Sequence, residues 1–300
     1  MTSINLETLF TIIYVLVDDW YQANGPLVKG KPGVEAELKD SEVLTLMIAQ
    51  DYIPYPGERQ YIGYMRANHA ALFPRLLDQS QYNRRARGLK GQLEAVRQSW
   101  VGQLVGSTPQ TLLLDTKPIP VVGMKRSKKH SDFAGSAAYG YCAARQMHYF
   151  GYKLVMLTTL EGIPLIYDLV AANLDERRAA EAVLQRVQQR VILGDKGFLG
   201  VEWQAHIRDA TQNTVFTLKR QNQVTQNPAA FDQLLGSLRE RIETTFHQLQ
   251  NTGRHVEHLL AKTVEGLVTR VVQKVTALVL RLLLRRDFGI DVQSFQLFPI

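Results

Sequence analysis

Two hydrophobic periods divide this chain, and the change falls near Thr108-Pro109. Before it, apolar side chains recur every three or four residues. Leu6, Leu9, Phe10, Ile13, Leu16 and Val17 form one such row, which predicts an amphipathic helix. Asp40 or Ser41 is placed to cap a second helix that starts at Glu42 and runs through Leu44, Met47 and Ile48. The segment Tyr52 to Gly57 carries two prolines and interrupts the pattern. Further helices are expected around Arg59–Ala70 and Leu89–Val105.

Beyond Pro109 short apolar runs take over. Leu112–Asp115, Gly151–Leu160, Ile163–Val170, Val191–Gly194 and Val215–Leu218 read as five strands, the second and third joined by a tight Glu161-Gly162 turn. Helical spacing returns over Asp175–Arg190, near Val201–Asp209 and from about Pro228 to Gln250. Hairpin strands beside strands joined through helices imply an α/β fold with a mixed five-stranded sheet covered on both faces. The expected organisation is a mostly helical region over residues 1–107, a sheet-bearing domain over 108–260, and a C-terminal helix and tail over 261–300 packed on that domain.

Composition narrows the class. The single cysteine, Cys142, rules out an internal disulfide and a Cys-rich zinc site, which suits a reducing, cytoplasmic setting. The apolar run Ile12 to Val17 is too short for a secretory signal. The stretch Val264 to Leu284 is broken by Glu265, Arg270, Lys274 and Arg281, so no membrane span is expected. The net charge of +7 is uneven: residues 111–150 hold 6 basic and 2 acidic side chains, while 1–110 and 151–250 balance. Positive charge around one segment favours a polyanionic partner. There is no Gly-rich phosphate loop, dinucleotide fingerprint or Gly-x-Ser-x-Gly elbow, so no nucleotide cofactor is expected.

The candidate chemistry lies in three acids. Asp115 and Asp195 each end an apolar run, although Asp is depleted in strands, and Glu243 lies on the last predicted helix of the domain. Carboxylates held together stay ionised only around a cation, so the trio predicts a site for Mg²⁺ or Mn²⁺. Two such ions would activate an attacking oxygen and stabilise a leaving one. Arg239, Glu243 and His247 recur every four residues and share one row of their helix. The loop with Lys125, Arg126, Lys128 and Lys129, together with Lys153 and the N-terminal Arg84, Arg85 and Arg87, are candidate contacts to a nucleic-acid backbone. Asp132 and Asp168 compete weakly for the acidic site. His255 and His258, on an expected helix, lack a third ligand.

The element order resembles the ribonuclease H-like fold, in which acids sit on the first strand, just after the fourth and on a late helix. Four strings are similar to bacterial insertion-sequence transposases of the DDE class, and most like the insertion-sequence 982 family: Leu-Leu-Leu-Asp-Thr-Lys-Pro (112–118), Tyr-Phe-Gly-Tyr-Lys-Leu (149–154), Gly-Asp-Lys-Gly-Phe (194–198) and Arg-Glu-Arg-Ile-Glu-Thr-Thr-Phe (239–246). The resemblance implies catalytic and metal-binding roles for Asp115, Asp195 and Glu243. It also implies a double-stranded DNA partner at the element's terminal inverted repeats and at the target, and a homodimer or higher oligomer on DNA. The N-terminal region would bind the DNA ends. The resembled signature Tyr-Arg-Glu-Lys is incomplete here: Arg239 matches its Arg, but Gly236 and Gln250 stand at the Tyr and Lys positions. A nuclease of the same fold without strand transfer, or a DNA-binding relic without catalysis, are the alternatives.

Overall fold

Strand β1 (Thr111–Val122) is the axis of the sheet. The computed structural model describes residues 4–26, 36–123, 131–142, 145–219, 221, 223, 226–251 and 255–292. On one side β1 pairs antiparallel with β3 (Met147–Thr158); on the other it pairs parallel with β5 (Val191–Gly194), which pairs parallel with β6 (Thr214–Thr217). The far edge of β3 is shared. Strand β2 (Ala138–Cys142) takes Met147–Gly151, and β4 (Pro164–Ala171) takes the half from Tyr152 to Thr158, both antiparallel. The result is the expected mixed α/β sheet behind a helical N-terminal region.

Two details depart from expectation. The sheet has six strands, not five; β2 is only five residues long and contains Gly140, so it carries no sustained alternation. Strand β1 also continues well past Asp115, through Pro118 and Pro120. Proline breaks a central strand because it has no N–H to donate. Beyond Leu114, however, β1 is paired by β3 alone, so one edge has no ladder to lose.

Alternation along β1 turns Leu112 and Leu114 to the same face as Val155 and Leu157 of β3. Helix α6 (Glu176–Leu184) covers that face with Ala179, Ala180, Val183 and Leu184, and Ile207 of α7 (Val201–Thr211) joins the same core. Helix α6 is shorter than its apolar spacing suggested: the chain leaves it at Gln185, and Gln189 takes a left-handed φ of 58°. Helix α8 (Ala229–Asn251) completes the domain.

Gly151 allows the closest approach in the sheet. A Cβ there would stand 2.1 Å from the carbonyl oxygen of Ile119 and 3.1 Å from the Cα of Pro120, both backbone atoms of β1 that no rotamer change can move. Gly151→Ala is therefore expected to cost about 2–3 kcal/mol by forcing β1 and β3 apart. Denaturant unfolding would measure it as a lower midpoint.

The chain divides into two compact units, Val105–Gln248 and the remainder, Met1–Leu104 with Leu249–Ile300. The second unit contains α1 (Leu6–Asn24), α2 (Asp40–Ala49), α3 (Glu58–Asn68), α4 (Gln79–Gly88), most of α5 (Lys90–Val105) and α9 (Val264–Phe288). The C-terminal helix thus belongs with the N-terminal helices, a grouping that differs from the segment order expected above. Its sequence explains why. Val271, Val275, Leu278, Val279, Leu280 and Leu283 are all buried, spread around the helix rather than along one stripe, so α9 needs cover on several sides. Helices α2 and α4 supply it, and the Tyr52 hydroxyl donates to the Ala277 carbonyl at 2.6 Å. No helix among the described residues is long and apolar enough to cross a membrane.

Candidate active site

The register of the sheet brings the first two acids together. Leu114 of β1 lies opposite Gly194 of β5, the last matched pair of these parallel strands, and Asp115 and Asp195 are the next residue on each. Adjacent strands lie about 4.8 Å apart, so the two carboxyl groups leave the sheet as neighbours at the same strand ends. Asp115 accepts from the Thr116 amide at 2.7 Å. Asp195 caps the short helical turn Lys196–Phe198 by accepting from the Lys196 amide.

Glu243 arrives from α8. Leu235, Ile242 and Phe246 are buried, and Glu243 follows Ile242 at the exposed border of that stripe. Two bonds hold α8 against the β3–β4 turn: Arg241 donates to the Leu160 carbonyl at 3.0 Å, and the Thr245 hydroxyl donates to the Gly162 carbonyl at 3.2 Å. Arg239, one helical turn before Glu243, stands between two of the acids. A single guanidinium nitrogen lies 3.4 Å from Asp195 Oδ2 and 3.3 Å from Glu243 Oε1. Asp115, Asp195, Glu243 and Arg239 all line one cleft, with Glu176, Tyr149 and Lys153.

Asp115 keeps an opening to this cleft but is enclosed by protein on its other sides. Burial pushes its carboxyl up to about 7; the charges of Asp195 and Glu176 push the same way, against the Thr116 amide and Arg239. A carboxyl held this far from its ordinary range marks a site whose charge balance is incomplete. The acidic donors are all carboxylate oxygens, the ligand type that Mg²⁺ and Mn²⁺ take, so the set fits such an ion in kind. Among the described residues, no three His, Cys, Asp or Glu side chains are gathered closely enough to hold an ion as they stand. The cation between Asp195 and Glu243 here is the Arg239 guanidinium.

Residues 106–280, more than half of the chain, match the transposase DDE domain. The chain belongs to this family. No curated protein matches it in sequence. Among solved structures, the Mos1 transposase in a paired-end complex with its left transposon end aligns over 81% of this chain and 97% of that one, at 12% identity and a TM-score of 0.21. Agreement that low carries no argument about fold or site.

Within the DDE domain the remaining candidates separate. Lys153 lines the cleft, but its ammonium donates to the Leu174 carbonyl at 2.7 Å. Asp168 accepts from the Leu169 amide on β4, and Asp132 is exposed in a loop; neither lines the cleft. Lys125, Arg126, Lys128 and Lys129 lie outside the described residues. In the helical unit, Arg84 and Arg87 belong to α4, with Arg84 exposed, while Arg85 is engaged internally with the Leu38 carbonyl and the Asp40 carboxylate. His255 and His258 lie in a turn, not a helix, with their rings 6.1 Å apart.

Sequence reasoning missed Glu176 and Tyr149. The signal for Glu176 was present: Asp175 is a helix cap, and the acid after it sits in the first turn of the helix that follows the hairpin. An acid in a first turn reads as a dipole partner, which conceals any second role.

Proposed function

We propose that this chain is a DNA transposase of an insertion sequence, resembling the insertion-sequence 982 family, that cuts phosphodiesters at the element's ends and joins the 3′-hydroxyls to target DNA. The observation that carries this reading is the register that sets Asp115 beside Asp195, in one cleft with Glu243. Asp115, Asp195 and Glu243 would hold Mg²⁺ or Mn²⁺, as a pair of ions. When bound, such ions supply charge neutralisation and an activated oxygen nucleophile for in-line displacement at phosphorus.

The chain's own groups have definable tasks. Asp115 holds a proton near neutrality in the ion-free protein and releases it when positive charge arrives. Arg239 bridges Asp195 and Glu243 in the meantime and is placed to turn to a DNA phosphate, which a guanidinium grips with two parallel hydrogen bonds. Gly236 and Gln250, standing at the signature Tyr and Lys positions, leave Arg239 as the one matching phosphate contact of that helix. The exposed Arg84 and the basic segment around Lys125 would each add contacts to a DNA backbone. Function in the cytoplasm, as an oligomer holding two DNA ends, completes the reading.

An assay with labelled element ends, Mg²⁺ and a target plasmid tests it. Joined products are expected. Cleavage without joining would reduce the activity to that of a nuclease, and DNA binding without metal-dependent chemistry would leave a non-catalytic relic.

A further inference from the structure

Glu176 also stands in the cleft. As the first residue of α6, it is presented directly after the Asp175 cap, where the chain returns from the β4 edge. Its two carboxylate oxygens reach both acid-bearing strand ends. Oε1 lies 3.4 Å from the hydroxyl of Thr116, the residue after Asp115. Oε2 rests on bare backbone at Gly197, two residues after Asp195; a Cβ there would stand 1.5 Å from it. A larger residue there would push the carboxylate aside, so the present position of Oε2 depends on this glycine.

Two basic neighbours of the carboxylate bond elsewhere. The adjacent Arg177 is turned to Asp175, and the Lys153 ammonium to the Leu174 carbonyl. Among the described residues no ion pair to Glu176 is formed. A second observation points to a missing group at this wall. Tyr149 lines the same cleft, and its buried hydroxyl has no hydrogen-bond partner among the described residues. Burial, then the nearby Cys142 and Glu176, push this phenol up to about 12, so it remains a donor at any working pH. A buried hydroxyl without a partner, beside a carboxylate that forms no ion pair among the described residues, leaves a place at this wall of the cleft for a cation whose bound water would take up the hydroxyl, although Lys117 and Arg145 also line the cleft.

We infer that Glu176 is a fourth carboxylate of the cation site, an oxygen ligand to a divalent ion alongside Asp115, Asp195 and Glu243. The inference rests on the reading given under Proposed function. Its long contact to Thr116 is cheaply given up, which lets the carboxylate move inward as an ion binds.

The test is Mn²⁺ binding by the purified full chain, followed by electron paramagnetic resonance and by calorimetry, so that it does not depend on turnover. Glu176→Gln keeps the shape and the acceptor for Thr116 but removes the charge. It is expected to weaken Mn²⁺ binding by about tenfold or more, with the melting temperature unchanged. Gly197→Ala displaces Oε2 without removing the acid; it should weaken binding in the unmodified chain and add little in the Glu176→Gln background. This second variant keeps the inference falsifiable if Glu176→Gln folds poorly. Asp195→Asn serves as the control. If the unmodified chain binds Mn²⁺ and Asp195→Asn loses it, while Glu176→Gln and Gly197→Ala bind normally, Glu176 is no ligand and the wider reading stands. If the unmodified chain binds no Mn²⁺, with or without duplex DNA, both readings fall.

Discussion

Asp195→Asn is expected to lower DNA cleavage at least ~10³-fold, a loss of about 4 kcal/mol in transition-state stabilisation, while the fold survives. The amide keeps the oxygen that accepts from Lys196 and so preserves the cap of the turn after β5. What it removes is one unit of negative charge beside Asp115 and facing Arg239. Asp115→Asn should inactivate as completely, and it adds a second readout. The folded-state pKa of Asp115, about 7, lies above the ordinary carboxylate value. Folding therefore takes up a proton between those values. The stability this provides is fully present below about pH 4 and is lost as pH rises through about 7. At pH 8 the folded chain carries a poorly solvated charge that asparagine lacks. The rise to about 7 converts to roughly 4 kcal/mol as a ceiling, and water in an open cleft reduces it. Asp115→Asn should thus be about 1–2 kcal/mol more stable at pH 8 by denaturant unfolding, and no more stable at pH 4. An acid kept only for structure would show the reverse: activity largely retained and stability lost.

The parts of this site that were legible in the sequence are those that repeat a local rule. Asp115 and Asp195 were visible because each ends a run of apolar residues, where Asp is out of place. Glu243 was visible because it borders a helical stripe whose spacing survives into α8. Their convergence is not a local property. It depends on Leu114 pairing with Gly194 across an 80-residue separation, and no window of sequence encodes that register. Glu176 was hidden for the opposite reason, since its local setting already explains an acid there. That β1 runs on through Pro118 and Pro120 was not legible, because the cost of a proline depends on whether the second edge of the strand is paired, a fact of topology. Arg85 had the composition of a DNA contact, yet its guanidinium is taken up by Leu38 and Asp40, residues more than forty positions earlier. The placement of α9 among the N-terminal helices was suggested only by its apolar residues on all sides, which demand burial without naming a partner.

Among the ionic contacts of that helix, the one between Arg270 and Glu58 should on removal give a large stability loss in the helical unit. Arg270 of α9 donates to Glu58 of α3 through two nitrogens, at 3.2 and 2.7 Å, and also to the Leu259 carbonyl at 2.8 Å. Both side chains are nearly enclosed, 11% and 7% exposed. Asn83 and Gln79 donate to the other oxygen of Glu58, so the carboxylate is fully engaged. Burial alone would raise the Glu58 pKa, and Arg270 reverses this, holding the group below its ordinary range. Arg270→Met keeps the apolar stem and deletes the charge, leaving a buried carboxylate with amides only. The expected cost is about 3–5 kcal/mol near neutral pH. The double variant Glu58→Gln with Arg270→Met should cost clearly less, because no charge is then stranded. The pH dependence should also invert. In the unmodified chain Glu58 stabilises above the ordinary carboxylate pKa, and that contribution is lost as pH falls through its depressed value. Without Arg270, burial is left to dominate and the pKa rises, so Arg270→Met should regain stability as pH falls toward 5, where the unmodified chain gains nothing. Unfolding midpoints measured across pH 5 to 8 would read this crossing directly. A penalty independent of pH would mean that the contact is packing rather than charge.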